Sequence, residues 1–463
     1  MNHESITFFV YTLLKLESIY DFKLLIFPNV KDPPILALLF TFSFSSTSYS
    51  KTEIHWWYGN SGFLGDVIIE IANRFNASQN EYTVIPTGKG SYEDNMAATI
   101  AAFRAGDQPH YSQVYDAGAA IMVAQVKNGV VIGFEEMAEK YGISVDADNY
   151  IPGIKNFYAD SDGKMIGVPF NSSTCLMYAN MDILKKVGIE AVPKTYEEFE
   201  AMAPKIKAAG YIPLVQSHFP WIWTENFFSR HNLLMTDGNN GYDAVPTKTL
   251  FAETDAFVMH WKKVKEWYES GLYGYKGRAW GDNQAPFIAG EAAFWFGSAA
   301  SFGGMKGVVP NFTVNHIPYW DSVTGGKEYP TFIGGAANWI LNGHTEEEYK
   351  GLAKFIEFMG SPEMDLYYHN MTGYSAVTKG GIALAETINF YRASPYHKAV
   401  GEQLSLEGST IPGGYRAGNW PQIREVIYEN VEPMLNGKIS IEKGLKNMDK
   451  GAAKLLKQFA KTL

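Results

Sequence analysis

A single cysteine, Cys175, stands among the 463 residues, so an internal disulfide is excluded and the redox compartment stays open. A thiol becomes a nucleophile only beside a base, and none is marked near Cys175; it reads as a small buried side chain. Histidine is also scarce. The ten histidines come no closer along the chain than His218 and His231, a separation that fits neither a zinc motif nor a helical His pair. No metal and no cofactor is expected. Runs of Lys or Arg are missing and the formal net charge is −10, which argues against nucleic acid and anionic membrane as partners. Catalytic signatures are missing too. The segment Ala299-Ala300-Ser301-Phe302-Gly303 lacks the first glycine of a nucleophile elbow, and Thr87-Gly88-Lys89-Gly90-Ser91 lacks the spacing of a phosphate-binding loop.

No apolar run is long enough to span a membrane. Ile35 to Phe44 is continuous for ten residues, against the roughly 20 that a spanning helix needs. Small residues ending in Ser46-Thr47-Ser48-Tyr49-Ser50 follow it, and Lys23 and Lys31 precede it, which is the pattern of a signal-peptide core and cleavage region. Residues 1–50 are therefore expected to be a leader, with either an extended n-region or a start downstream of Met1. No cysteine stands in the cleavage region after the run, so a free, exported mature protein is expected.

The chain exceeds the size at which single cores stop growing, so two lobes are expected. From Glu53 the pattern alternates: a strand to Tyr58, a helix with Val67, Ile68, Ile71, Ala72 and Phe75 on one face, then a strand from Tyr82 to Pro86. A helix over Tyr92–Ala105, a strand over Ser112–Tyr115 and a further helix from Gly118 complete an α/β lobe with a largely parallel sheet. The extended run Met165–Phe170 reads as a hinge crossing. Thr195 and Glu198 form a capping box for a helix over Tyr196–Ala209, and another helix spans Asp255–Ser270. The apolar run Ala292–Ser298 reads as a return crossing, with a further one near Gly334-Gly335, and Glu346–Leu463 is mostly helical. The expected division is residues 51–169 with 299–338 as the first lobe, and 170–298 with 339–463 as a second, helix-rich α/β lobe.

What the chain has in place of catalytic motifs is a set of Gly, Ser and aromatic clusters: Lys89–Glu93, Gln113–Asp116, Phe170–Thr174, Ile333–Ala336, Thr372–Tyr374 and Gly414–Arg424. They read as one composite pocket, and in an α/β lobe Asp116 and the Tyr92 loop fall at the carboxyl ends of strands, where ligands bind. The residue types suit a phosphorylated polyol. Arg424 can grip a phosphate through two parallel bonds, Ser173, Ser298 and the Gly335 N–H donate without bulk, Asp116 accepts from hydroxyls, and the Trp221 face covers a carbon edge. Taken singly, each has a plainer reading: Gly334-Gly335 as a tight crossing, Tyr374 and Trp221 as core, Arg424 as a solvated helix charge. Any two of the 49 carboxylates could serve a glycosidase.

Across these separated segments the chain resembles the sn-glycerol-3-phosphate-binding proteins of Ugp-type ABC importers, from about Glu53 to the C-terminus. The segments that carry the resemblance are Lys89–Glu93, Phe170–Thr174, Trp221 with Glu225-Asn226-Phe227, Gly334-Gly335-Ala336, Thr372-Gly373-Tyr374 and Gly418–Arg424. The resemblance implies a two-lobed periplasmic-binding-protein fold of the maltose-binding-protein type (class II), with the ligand cleft between the lobes. It carries the ligand contacts onto Tyr92, Asp116, Ser173, Trp221, Ser298, Gly335, Tyr374 and Arg424. Two positions depart from it: Asp116 is one methylene shorter than the family's Glu, and the Ser298 assignment could slip to Ser301. The implied function is capture of glycerol-3-phosphate or a glycerophosphodiester in the periplasm by a monomer that delivers it to a permease and its ATPase. A receptor for a neutral sugar or oligosaccharide and a secreted glycoside hydrolase are the alternatives.

Overall fold

The computed structural model describes residues 51–463; the expected leader, residues 1–50, lies outside the described residues. The chain opens with β1 (Thr52–Tyr58), whose alternate residues Ile54, Trp56 and Tyr58 point inward, and helix α1 (Gly62–Ser78), which buries Val67, Ile68, Ile71, Ala72 and Phe75. Strand β2 (Tyr82–Gly88) follows. Helix α2 (Tyr92–Ala105) starts where the Ser91 hydroxyl accepts the Asp94 N–H at 3.0 Å and stops at Gly106, whose φ of +74° suits a glycine. These elements, with β3 (Tyr111–Tyr115), fall where the alternating pattern predicts them. β2 and β3 flank β1 in parallel, and short β4 (Val131–Ile132), β5 (Val168–Ser173) and the late strand β11 (Gly334–Leu341) complete a six-stranded sheet in the order β2-β1-β3-β11-β4, with β5 also on β11.

The second sheet has the order β10-β6-β9-β7-β8, built from β6 (Cys175–Asn180), β7 (Ile212–Gln216), β8 (Tyr273–Gly274), β9 (Ala292–Ser298) and β10 (Phe312–His316). Its helices include α3 (Tyr196–Ala208) and α4 (Asp255–Glu269). The Thr195 and Glu198 capping box of α3 is present as expected: the Thr195 hydroxyl accepts the Glu198 N–H at 3.1 Å, and the Glu198 carboxylate accepts the Thr195 N–H at 3.3 Å. Much of the aromatic content is core here, where Trp223, Trp261, Trp267 and Trp320 pack with Tyr196.

Sheet membership moves three expected boundaries. Ala292–Ser298 is not a return crossing: as β9 it lies between β6 and β7, buried on both faces, which is why it reads as an unbroken apolar run. β10 also stays with the second sheet, so residues 299–316 do not belong with the first, and the return comes just before Gly334. The first crossing lies at Thr174 rather than at 169/170, because Ser172 and Ser173 still pair with β11. Helices α5 (Glu346–Met359) and α6 (Pro362–Thr372), expected in the second lobe, pack on β1 and α1 of the first. Helices α7 (Trp420–Leu435) and α8 (Ile441–Ala460) pack on each other and on α4 in the second lobe.

The lobes are joined by three crossings. The first two touch where the Thr174 and Thr331 hydroxyls meet at 2.6 Å. The third runs through residues 379–404, which begin against α6 and end with Pro395–Leu404 against β10. Its Gln403 ties the crossings together: Nε2 donates to the Thr174 hydroxyl (2.5 Å) and the Cys175 carbonyl (2.6 Å), while Oε1 accepts the Ile317 N–H (2.9 Å). Thr174 is fully buried, so Thr174→Val strands the Gln403 and Thr331 groups. This substitution is expected to lower the unfolding free energy by about 1–3 kcal/mol, measured by urea titration, with the α/β circular dichroism unchanged.

Candidate functional site

The carboxyl ends of β1 and β3 face the second lobe across a cavity of about 360 Å³. From the first lobe come Asn60 and Leu64 after β1, Tyr92 at the first turn of α2, Asp116 after β3, Gly335 on β11 and Tyr374 after α6. From the second come His218 and Trp221 after β7, Trp280, Ser298 at the end of β9, Ser301 and Arg424 on α7. Seven of the eight residues singled out in the sequence line this one cavity: Tyr92, Asp116, Trp221, Ser298, Gly335, Tyr374 and Arg424. Ser173 stands behind it, 1% exposed, with its hydroxyl 2.5 Å from that of Ser298. Ser298 and Ser301 both line the wall.

Glycine at 334 and 335 is a requirement of space. A Cβ on Gly335 would sit 1.8 Å from the Asn171 carbonyl oxygen, and its φ is +89°; a Cβ on Gly334 would meet the Trp221 indole at 2.4 Å. Trp221 therefore packs against the crossing strand at Gly334, and its buried indole Nε1–H has no acceptor among the described residues.

Arg424 is placed differently from the sequence expectation of an open phosphate fork. Its Nε and Nη2 donate to the two oxygens of Glu225 at 2.8 and 2.7 Å, and Nη2 also pairs with Asp116 of the first lobe. Glu225 closes the π-helical stretch Phe219–Glu225, is fully buried, and accepts as well from Trp420 Nε1 (2.8 Å) and the Tyr415 hydroxyl (3.0 Å). Burial pushes the Asp116 carboxyl up to about 6; the Arg424 guanidinium opposes the shift and the Glu225 carboxylate adds to it. His218, whose Nδ1 accepts the Trp221 N–H, is pushed down to about 3 by burial and by the Arg424 charge, so it is neutral at physiological pH.

Glu225 is the partner that sequence reasoning did not assign. It stands in a segment noted for its resemblance, but nothing local links it to Arg424, 199 positions away. Asn60 had a usable signal, since it stands two residues past the carboxyl end of β1, which pairs in parallel with β2 and β3, although β11 joins the same sheet antiparallel.

The described residues also bring together His110, His344 and Glu348, whose ligand-type atoms lie within 4.8 Å of one another. Their hydrogen-bond polarity does not suit a cation. His110 Nδ1 accepts the His55 N–H (3.0 Å), which leaves the proton on Nε2, the atom 3.5 Å from Glu348. His344 Nε2 faces the Pro109 carbonyl at 3.1 Å and so donates, and the two rings stack at 3.8 Å.

Two α/β lobes joined by three crossings, with one cavity lined from both, define a two-lobed ligand-binding protein. The chain belongs to the family of bacterial extracellular solute-binding proteins, whose profile matches residues 70–390. It is 32% identical over 407 residues to the sn-glycerol-3-phosphate-binding periplasmic protein UgpB of Brucella abortus, covering 87% of this chain and 92% of that one. The Escherichia coli K12 protein of the same name is 32% identical over 432 residues, 92% and 97% of the two chains. Among solved structures, UgpB from Mycobacterium tuberculosis in complex with glycerophosphocholine superposes with a TM-score of 0.72 at 18% identity, covering 89% of this chain and all of that one. Maltose-bound MalE3 of T. maritima gives 0.71 at 19% identity, covering 88% of this chain and all of that one.

Because the Asp116 carboxyl is raised in the fold, the folded state holds its proton more tightly than the unfolded chain does. Asp116 therefore favours the folded state below pH 4, and that contribution is lost as pH rises through 6. In thermal scans, Asp116→Asn is expected to flatten this part of the wild-type stability profile, by on the order of 2 kcal/mol across the window.

Proposed function

We propose that this chain captures sn-glycerol-3-phosphate or a glycerophosphodiester such as glycerophosphocholine by lobe closure in the periplasm. It then delivers the ligand, as a monomer, to a membrane permease driven by an ATPase. The observation that carries the reading is that seven of the eight residues implied by the family resemblance line one cavity. Named relatives that share 32% of the sequence support the choice of ligand.

The arrangement of charges supports a division of labour inside the cavity. Two carboxylates against one guanidinium leave a surplus negative charge around Arg424, so the phosphate is read on neutral donors of the lining: Tyr374, Ser298 and Trp221 Nε1–H. The glycerol hydroxyls then turn to Asp116 and to the Arg424 edge. Closure improves binding because donors and acceptors from both lobes reach the ligand together, so ligand shifts the open and closed populations.

Binding without turnover fits the same geometry. A glycosidase needs its two carboxyl groups on either side of a scissile bond; here Asp116 and Glu225 are tied to one guanidinium. Ligand recovered after incubation is expected unchanged.

Arg424→Ala leaves two buried carboxylates unpaired whatever the ligand, a cost of about 3–5 kcal/mol for breaking such a pair, so it is expected to abolish binding and lower the melting temperature together. Ser298→Ala is the discriminating substitution. In calorimetric titrations of protein unfolded and refolded to strip carried-over ligand, glycerol-3-phosphate or glycerophosphocholine is expected to bind at about micromolar or tighter dissociation constants. Ser298→Ala is expected to weaken this roughly tenfold, the effect of about 1–1.5 kcal/mol. Binding of maltose alone would overturn the phosphate assignment.

A further inference from the structure

Beneath the cavity lies a polar network whose proton directions are fixed by one backbone group. The Gly59 N–H can only donate, and it meets the oxygen of the fully buried Gln113 amide at 2.8 Å. The Gln113 nitrogen is thereby turned the other way, and its two protons go to the side-chain oxygens of Asn60 (2.7 Å) and Asn171 (2.9 Å). With both oxygens occupied, each asparagine presents its NH2 to the tyrosines: Asn171 donates to the Tyr92 hydroxyl at 2.7 Å, and Asn60 donates to Tyr92 at 3.2 Å and Tyr374 at 3.4 Å.

The consequence follows by counting. The Tyr92 oxygen accepts from two amides and so has no place for a third donor; its own proton must run to the Tyr374 oxygen, 3.1 Å away. The Tyr374 oxygen then accepts from Tyr92 and Asn60. Its own proton has no acceptor within the network, and Tyr374 lines the cavity.

We propose that Gln113 is a positioning residue that fixes the polarity of this relay, so that the Tyr374 hydroxyl is presented to the cleft as an obligate donor for an acceptor-only oxyanion. The role rests on the phosphate reading above. An ionised phosphate oxygen takes the bond with nothing left over, whereas a hydroxyl must give up a lone pair and place its own proton elsewhere. The relay lies entirely in the first lobe, from β1, β3, β5, the start of α2 and the segment after α6, so the donor is oriented before the lobes close. Gln113 itself does not line the cavity, so a substitution there acts through the tyrosines.

The test is a double-mutant cycle read by calorimetry with glycerophosphocholine, whose diester carries a single charge through the working range. Gln113→Met, which removes the amide and keeps the volume, is expected to weaken binding about tenfold. The same change made on Tyr374→Phe is expected to cost less than about twofold, because the proton it orients is already gone. A merely structural role predicts equal costs in the two backgrounds, and that result, or wild-type affinity in Gln113→Met, overturns the proposal. If Gln113→Met does not fold, Asn171→Leu in the same two backgrounds carries the same comparison. A wild-type protein that binds neither glycerophosphocholine nor glycerol-3-phosphate overturns both the receptor reading and this role; binding with additive costs overturns the role of Gln113 alone.

Discussion

Arg424, held between Glu225 of its own lobe and Asp116 of the other, is the interaction on which the arrangement of the cleft depends. It joins α7 to the π-helical stretch after β7 and reaches across to the end of β3. A guanidinium suits this place because its rigid fork satisfies two carboxylates at once where an ammonium would act as a point charge. Removing three charges from water is costly, and the cost is offset only because Glu225 also receives bonds from Trp420 and Tyr415. The cluster sets charged groups into the cleft wall, and the Tyr374 and Ser298 hydroxyls are uncharged groups of the same lining.

The parts of the fold legible in the sequence are those governed by neighbours along the chain. β1 through β3 and the helices between them follow from period and capping, and the Thr195 box marks α3 to the residue. What was not legible is which sheet an element joins. The apolar run of β9 looks the same whether it crosses between lobes or fills the middle of a sheet. Likewise, the amphipathic spacing of α5 shows that one face is covered, not that β1 covers it. The site shows the same limit. Gly335 and Tyr374 stand in recognisable clusters, whereas the bonds from Arg424 to Glu225 and from Asn60 to Tyr374 join residues far apart in sequence.

The solved proteins that share this fold are bound to maltose in one case and to glycerophosphocholine in another, so the scaffold alone does not choose the ligand. The choice lies in how the polar groups on the cleft walls are oriented. Here the amide of a single glutamine behind the wall, held by the Gly59 N–H, settles that orientation for two asparagines and two tyrosines.

The position of β11 governs the order in which the molecule can assemble. It pairs with β3, β4 and β5, yet it is residues 334–341 of the chain. Until it arrives β3 has an open edge, and the first lobe lacks the strand that holds its two halves together. Contacts of such long sequence separation make a chain slow to complete. A nascent chain with most of its length already synthesised still has no finished first lobe, so the half of the cleft that carries Asp116 and Tyr92 takes its final form only after residues 334–341 have been made.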